Sequence, residues 1–248
     1  AKNCDGLLSV DFGRCLFSSN AKDVLHFLYS LKQLKKLSLR EIWLPPSMLK
    51  KAVQKLPDLT EIDFGKCVEK PSTNSAYKVT EKIVYSCSSL TSLNMEHWGG
   101  NNRSLALLAS LKFLTSLNLT GWAINSDGIK AFFSLYSKSN HVENPLTSVV
   151  LADTKVTGEG GAKVFDSCAN ISHLDLSGLD LSNVQLRKTR AYLHTLSLRN
   201  AVTGRLCWIP LTPPRLLLSA LTLCILVCHA VTRQRPSAQR VKHGSSLP

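Results

Sequence analysis

Hydrophobic residues recur along this chain in one spacing, the six-residue frame L-x-x-L-x-L, with leucine or a similar residue in the apolar positions. Successive frames begin 27, 25, 31, 24, 32, 25 and 22 residues apart. In Leu117-Asn118-Leu119 apolar and polar residues alternate, which predicts a short strand with one buried face. The first residues of the eight frames are Leu7, Leu34, Leu59, Leu90, Leu114, Leu146, Ile171 and Leu193.

The segments between the frames change to helical spacing. Ile129, Phe132, Phe133 and Tyr136, for example, form one apolar stripe on a helix. A single strand–helix unit cannot bury its own apolar face, whereas stacked units of roughly 20–29 residues can. The pattern therefore predicts a right-handed α/β solenoid of about eight repeats. We expect a horseshoe with a parallel β-sheet on its concave face and helices on its convex face.

The spacing also predicts where individual elements begin and end. Outer helices are expected over residues 48–56, 101–111, 129–136 and 162–168, and polar connections over residues 69–76 and 138–145. Tryptophans 98 and 122 occupy the same position in adjacent repeats, so both are expected in the core.

The frame and its period resemble the leucine-rich-repeat superfamily over about residues 4–200. The turns at 124–128 (INSDG) and 156–160 (VTGEG) are similar to the ribonuclease-inhibitor-like subtype of innate-immune receptors and Ran GTPase activators. Cys87-x-x-Leu90 and Cys168-x-x-Ile171 resemble the cysteine-containing subtype of F-box proteins. The resemblance implies a non-enzymatic protein-recognition module. The two subtypes imply a sensing domain of an intracellular immune receptor or a substrate adaptor of a ubiquitin ligase.

The charge is concentrated at the C-terminal end. Residues 181–248 contain ten Lys and Arg but no Asp or Glu, so removing these charges from the net +13 leaves +3 for residues 1–180. The nearly neutral repeats favour a protein partner over specific nucleic-acid binding. A basic tail attracts anionic lipid or nucleic acid without specificity.

The sequence divides into a repeat domain over 1–205 and a tail over 206–248. Within the tail, 216–231 is a mostly apolar run of 16 residues, slightly short of the ~20 that span a membrane. A membrane anchor, a capping helix and an end that is not native to the repeat domain all stay open. Because the chain begins at Ala1 in what resembles the end of a repeat, we expect it to be part of a longer protein.

Five cysteines fit the repeat as buried structural thiols, which favours a reducing, cytoplasmic compartment. Three N-x-S/T sequons, at Asn102, Asn118 and Asn170, instead favour the alternative of a membrane-anchored surface protein with the repeats outside the cell. The five thiols are Cys4, Cys15, Cys67, Cys87 and Cys168.

Candidate chemistry is sparse. The glycine-rich stretch 158–163 lacks the spacing of a phosphate-binding loop, and Ser172, His173 and Asp175 share one strand without an oriented nucleophile. The sequence therefore predicts neither an enzyme nor a cofactor or metal site. We expect a protein partner to bind the concave face, where polar side chains point outward between the buried leucines. The predicted partner-binding residues are Asp11, Ser38, Arg40, Asp63, Asn94, Glu96, Asn118, Thr120, Asp175, Ser177, Ser197 and Arg199.

Overall fold

The computed structural model describes residues 4, 6–15, 21–67, 72–139, 145–168, 170–182 and 193–203, which all belong to one compact unit. Its main sheet consists of eight parallel strands, one from each frame, and their spatial order follows the chain. The strands are β1 (Ser9–Asp11), β2 (Lys36–Ser38), β3 (Glu61–Asp63), β4 (Ser92–Asn94), β5 (Ser116–Asn118), β6 (Ser148–Val150), β7 (His173–Asp175) and β9 (Thr195–Ser197). Between β7 and β9, β8 (Asp180–Leu181) pairs with β10 (Val202–Thr203) in a small second sheet.

The register places the central residue of each strand opposite the central residue of the next, as in Leu93 beside Leu117. These central side chains point into the core, from 0 % exposed at Leu174 to 8 % at Val10 in the first seven strands. A shift by one residue would turn every buried side chain toward solvent, so the leucine frame itself fixes the register.

In the described part of the chain six helices lie behind the sheet: α1 (Ala21–Ser30), α2 (Pro46–Lys55), α3 (Thr73–Ser86), α4 (Asn102–Leu108), α5 (Ser126–Ser139) and α6 (Gly158–Ser167). Each packs against its neighbour in sequence. Strands pack about 4.8 Å apart, whereas helices need about 8–10 Å. This difference in spacing bends the stack and leaves the sheet on the concave side, as the frame predicts.

Several predicted boundaries are wrong, mostly because polar turn residues form the first turns of helices. Helix α3 begins at Thr73, inside the predicted connection, since the Ser72 hydroxyl caps it by accepting a 3.2 Å hydrogen bond from the Ser75 backbone N–H. Helix α5 extends to Ser139, so Lys138 is helical, and α5 and α6 begin at Ser126 and Gly158. Helix α4 ends at Leu108, three residues earlier than predicted.

The residue seven positions after each frame start adopts a left-handed backbone conformation at the end of its strand. Glycine fills two of these eight positions, Gly121 and Gly178, and the six others hold residues with a side chain, of which only His, Asp and Asn are enriched at positive φ. These six are Arg14, Glu41, Lys66, His97, Asp153 and Asn200, with φ between 53° and 62°. The turn therefore displays charged or polar side chains along one edge of the sheet face.

Within the described residues, no helix is long and apolar enough to cross a bilayer. The tail over 206–248, including the apolar run 216–231, lies outside the part of the chain that the structure describes.

Candidate functional site

The outward face of the main sheet brings the predicted partner-binding residues together in two parallel columns. One column holds the third residue of each strand, from Asp11 to Ser197, and the other holds the residue two positions further on, from Gly13 to Arg199. The structure thus places all twelve predicted residues on or beside the concave face. We refer to the outward side chains of β1–β7 and β9 and of the turns that follow them as the sheet face.

A third column, at the first residue of each strand, was missed by the sequence analysis. The alternation of the strand was a sufficient signal, because the first and third residues point to the same side. This column consists of Ser9, Lys36, Glu61, Ser92, Ser116, Ser148, His173 and Thr195.

Five of the predicted binding side chains also hold their own turns. At the end of five strands an Asp or Asn Oδ1 accepts a hydrogen bond from the backbone N–H two residues later. The N–H···Oδ1 distances are 2.7 Å at Asp11, 2.9 Å at Asp63, 3.0 Å at Asn94, 3.0 Å at Asn118 and 2.9 Å at Asp175. This arrangement fixes each side chain, so the face is ordered before any partner arrives.

A charged network covers the sheet face in the second to fourth repeats. Glu96 lies at its centre: its Oε2 accepts a 2.5 Å hydrogen bond from Arg40 Nη2, and its Oε1 lies 3.2 Å from Lys66 Nζ. The side chain of Glu96 is only 11 % exposed, whereas that of Lys66 is 44 % exposed. Arg40 also lies near Glu41, which pairs with Arg14 at 3.0 Å.

Arg40 reaches Glu96 by crossing over Gly65 in the repeat between them. A Cβ atom on Gly65 would lie 2.7 Å from Arg40 Nη1, closer than nonbonded atoms approach in proteins. The glycine leaves room here for the guanidinium group, which passes directly above its backbone. The network is shared by three consecutive repeats, and Gly65 provides the space for it.

The network shifts the pKa values of its carboxyl groups in opposite directions. Burial would raise the pKa of Glu96, but the hydrogen bonds and positive charges of Arg40 and Lys66 outweigh it and lower the pKa. Burial raises the pKa of Asp63, and the hydrogen bond from Gly65 N–H only partly offsets this effect. At Asp11 the hydrogen bonds from Gly13 N–H and Ser38 lower the pKa.

The middle of the sheet face carries smaller, uncharged side chains. Ser92, Ser116 and Ser148 follow one another across adjacent strands. Beside them, the Thr120 hydroxyl donates a 2.7 Å hydrogen bond to Asn118 Oδ1. A partner can therefore approach the backbone closely in this part of the face.

Trp43 is a further candidate that the sequence analysis missed. Its flanking residues Ile42 and Leu44 are buried, whereas Trp43 itself is 70 % exposed. It lies two residues after Glu41, in the connection between β2 and α2. Ile42, Trp43 and Leu44 are all apolar, so the hydrophobic pattern gave no signal that the central residue would be exposed.

Trp98 and Trp122 lie in the core, as predicted. Each is 1 % exposed and donates its indole N–H to a backbone carbonyl of the preceding repeat, at 2.6 Å to Phe64 and 2.8 Å to Met95. They stabilise the contact between repeats and offer no surface to a partner.

The cysteines agree only in part with their prediction as buried thiols. Cys67, Cys87 and Cys168 are buried thiols, Cys4 is half-buried, and Cys15 is exposed, so the prediction is wrong for Cys15. Cys15 belongs to the first repeat of the described stack, where its surroundings cover it less. Burial raises the pKa of Cys67, and it raises the pKa of Cys87 and Cys168 to about 12.

The glycine-rich stretch 158–163 forms the first turns of α6 and serves packing. A Cβ atom on Gly160 would lie 2.6 Å from Val156 Cγ1 and 2.9 Å from Ser126 Oγ. Among the described residues no group of three His, Cys, Asp or Glu is placed to hold a metal ion.

Comparisons with known proteins yield solved structures only, since no protein-family model and no curated protein matches the chain. Internalin C2 of Listeria monocytogenes superposes with a TM-score of 0.51 at 13 % identity, over 79 % of this chain and 83 % of that one. Internalin F of the same organism gives 0.39 at 14 % identity, over 72 % and 58 %. A TLR13–ssRNA13 complex gives 0.39 at 18 % identity, over 69 % and 23 %. The likeness to internalin C2, together with the eight-stranded sheet and its outer helices, shows that this chain has the leucine-rich-repeat fold.

Proposed function

We propose that this solenoid is a non-enzymatic recognition module that binds a protein partner on its sheet face. The observation that carries the proposal is the order of that face: polar side chains stand in three registered columns, and five of them are held by hydrogen bonds to their own turns. Because these side chains are fixed in the unbound protein, binding costs less conformational entropy than it would on a mobile surface.

The chemistry of the face favours a partner with basic and hydrogen-bonding groups. Asp63 and Asp175 each use Oδ1 for a backbone N–H, which leaves Oδ2 as an acceptor. Asn94 and Asn118 use Oδ1 in the same way and retain the amide N–H₂ as a donor. Exposed tryptophan is the residue type most enriched among binding hot spots, so Trp43 would anchor the partner at the rim.

Two biological roles fit this mechanism, and both rest on resemblance at the level of the repeats. The 124–128 and 156–160 turns support the sensing domain of an intracellular immune receptor. Cys87 and Cys168, which both end outer helices as C-cap residues, support a substrate adaptor of a ubiquitin ligase. A nucleotide-binding domain in the full-length protein would favour the first role, and an F-box the second.

Photocrosslinking in cells captures the partner directly and so tests the proposal. A photoreactive residue at Ser92, on the sheet face, should yield one discrete covalent adduct, and the same residue at Gln54, on the outer surface of α2, should not. The captured protein is then purified for affinity measurements. Ser116→Arg places a bulky charge on the face without removing a hydrogen bond, so we expect at least about a tenfold loss of affinity. Ser89→Arg, in an exposed loop, is the matched control.

The binding proposal is wrong if Ser116→Arg and Ser89→Arg bind the captured protein equally well. Both variants are first compared with the wild type by circular dichroism and thermal unfolding, to show that they are folded before their affinities are measured.

A membrane-anchored surface protein is the alternative, and one observation favours it. Of the three sequons, Asn170 alone is exposed in a turn, whereas Asn118 lies on the sheet face and Asn102 exchanges hydrogen bonds with Asn125. The buried thiols favour the cytoplasmic proposal instead. Glycosidase treatment of the protein from its native cells separates the two, since only the surface protein would carry a glycan at Asn170.

A further inference from the structure

The outer surface of α2 and α3 carries a concentration of lysines that the proposed function does not use. Lys51, Lys55 and Lys78 are exposed, and Lys50 and Lys82 are half-buried. We call these five residues the lysine patch. Helix α2 packs directly against α3, so the lysines of the two helices lie on one continuous surface.

Helical spacing aligns the lysine patch on the side away from the core. Helix α2 buries Leu49, Ala52 and Val53, while Lys51 and Lys55, one turn apart, share its outer side. On α3, Lys78 and Lys82 are likewise one turn apart, and Tyr85 continues their stripe with 77 % of its surface exposed.

The charge of this patch is not neutralised by its surroundings. Within the described residues none of the five lysines forms an ion pair. Glu81 is the acidic residue on these two helices. The outer helices α5 and α6 differ, because their sequences hold three lysines and three acidic residues, and Lys130 pairs with Glu159. The positive charge is thus a local property of α2 and α3.

We propose that the lysine patch binds an anionic membrane surface peripherally, with the concave sheet face left open to its partner. Lysines on long flexible side chains add about 1 kcal/mol each near an anionic leaflet, and their charges need no fixed geometry. Tyr85 would lie among the lipid headgroups, where tyrosine is enriched in membrane proteins.

The shape of the surface favours a membrane over a nucleic acid. The convex side curves away from a partner, and a fluid bilayer can adapt its headgroups to such a surface. Single-stranded nucleic acids are instead bound in basic grooves lined by stacking aromatic residues, and duplex sequence is read by elements that enter a groove. Two adjacent helices on a convex surface supply neither arrangement.

Co-sedimentation of the full chain with vesicles tests the proposal. We expect binding to vesicles of phosphatidylcholine with phosphatidylserine, much weaker binding to phosphatidylcholine alone, and release at high salt. The triple variant Lys51→Gln, Lys55→Gln and Lys78→Gln should lower the partition coefficient at least about tenfold, given the contribution of each lysine. Lys112→Gln, Lys155→Gln and Lys163→Gln together remove the same charge elsewhere on the molecule and should leave binding within about twofold.

Two outcomes would overturn the proposal. Equal binding by the two triple variants would show that net charge or the C-terminal tail, not the lysine patch, drives association. Binding of a short DNA duplex that depends on the lysine patch, without binding to the anionic vesicles, would assign the patch to nucleic acid. Partner capture at the sheet face is measured separately, so its failure would not be confused with a failure of membrane binding.

Discussion

Glu96 is the residue on which the charged network of the sheet face depends. It is nearly buried, and it accepts a hydrogen bond from Arg40 and forms an ion pair with Lys66. Removing one partner of a buried charge pair leaves the other without compensation, whereas exposed pairs contribute little. The half-exposed Lys66 therefore contributes less to stability than Arg40, whose side chain is 28 % exposed.

Glu96→Gln should lower the free energy of unfolding by about 1–2 kcal/mol at neutral pH, because it replaces a charge-assisted bond by a neutral one. The folded protein lowers the pKa of Glu96 from its ordinary value of 4.5, so the carboxylate stabilises the fold above that pH. As the pH falls through the lowered pKa, the wild type loses this contribution and the difference between the two proteins shrinks. Urea unfolding at pH 7 and pH 3.5 measures both effects.

Two further variants check the cause of this effect. Glu61→Gln removes an exposed pair with Lys36, 2.7 Å long, and should cost no more than about 0.5 kcal/mol. Gly65→Ala forces Arg40 away from Glu96. The unfolding free energy that Gly65→Ala removes should therefore be about 1 kcal/mol smaller in the Glu96→Gln background than in the wild type. Additive costs would show that Arg40 does not link the two positions.

At the scale of the elements, the sequence predicted strands better than helix ends. The strands follow from a period-two pattern that recurs eight times, and all eight are present. Helix starts depend on capping contacts such as the Ser72 hydroxyl on the Ser75 N–H, which hydrophobic spacing does not reveal. Contacts between repeats could not be predicted from this spacing either, such as that of Arg40 with Glu96, 56 residues apart.

Gly100 shows how closely adjacent repeats pack, and it yields a prediction at this scale. A Cβ atom on Gly100 would lie 2.3–2.6 Å from ring atoms of Trp122, which is buried and held by its hydrogen bond to Met95 O. Gly100→Ala should therefore destabilise the protein by about 2–3 kcal/mol, since the rigid indole cannot move aside. Thermal and urea unfolding measure the change.

Gly6→Ala is the matched control, because a Cβ atom there meets nothing within 4 Å. Its unfolding free energy should stay within about 0.5 kcal/mol of the wild type. A Gly100→Ala variant as stable as Gly6→Ala would mean that the indole ring does not pack on Gly100.

For the molecule as a whole, the sequence predicted which side would carry polar side chains but not how they are arranged. The two predicted columns of the sheet face follow from the leucine frame, whereas the network around Glu96 depends on side chains that cross between repeats. The repeat pattern also did not determine the exposure of every side chain. Cys15 and Cys67 occupy the same repeat position, yet Cys15 is exposed and Cys67 is buried. Among the described residues Cys15 lies in the first repeat, whereas Cys67 has described repeats on both sides of it.

The buried thiols report how the entire stack unfolds. Thiolate is the reactive form, and burial raises the pKa of Cys87 and Cys168 to about 12, so both should resist alkylation in the native state while the exposed Cys15 reacts at once. Leu196 and Leu198 of the last described repeat are only partly buried. Because each repeat is stabilised mainly by its neighbours, opening should start at this end, and Cys168 should be alkylated before Cys67 and Cys87. Mass spectrometry of timed alkylation in low urea measures the order. Simultaneous alkylation of the three buried thiols would instead show that the described stack opens as one cooperative unit.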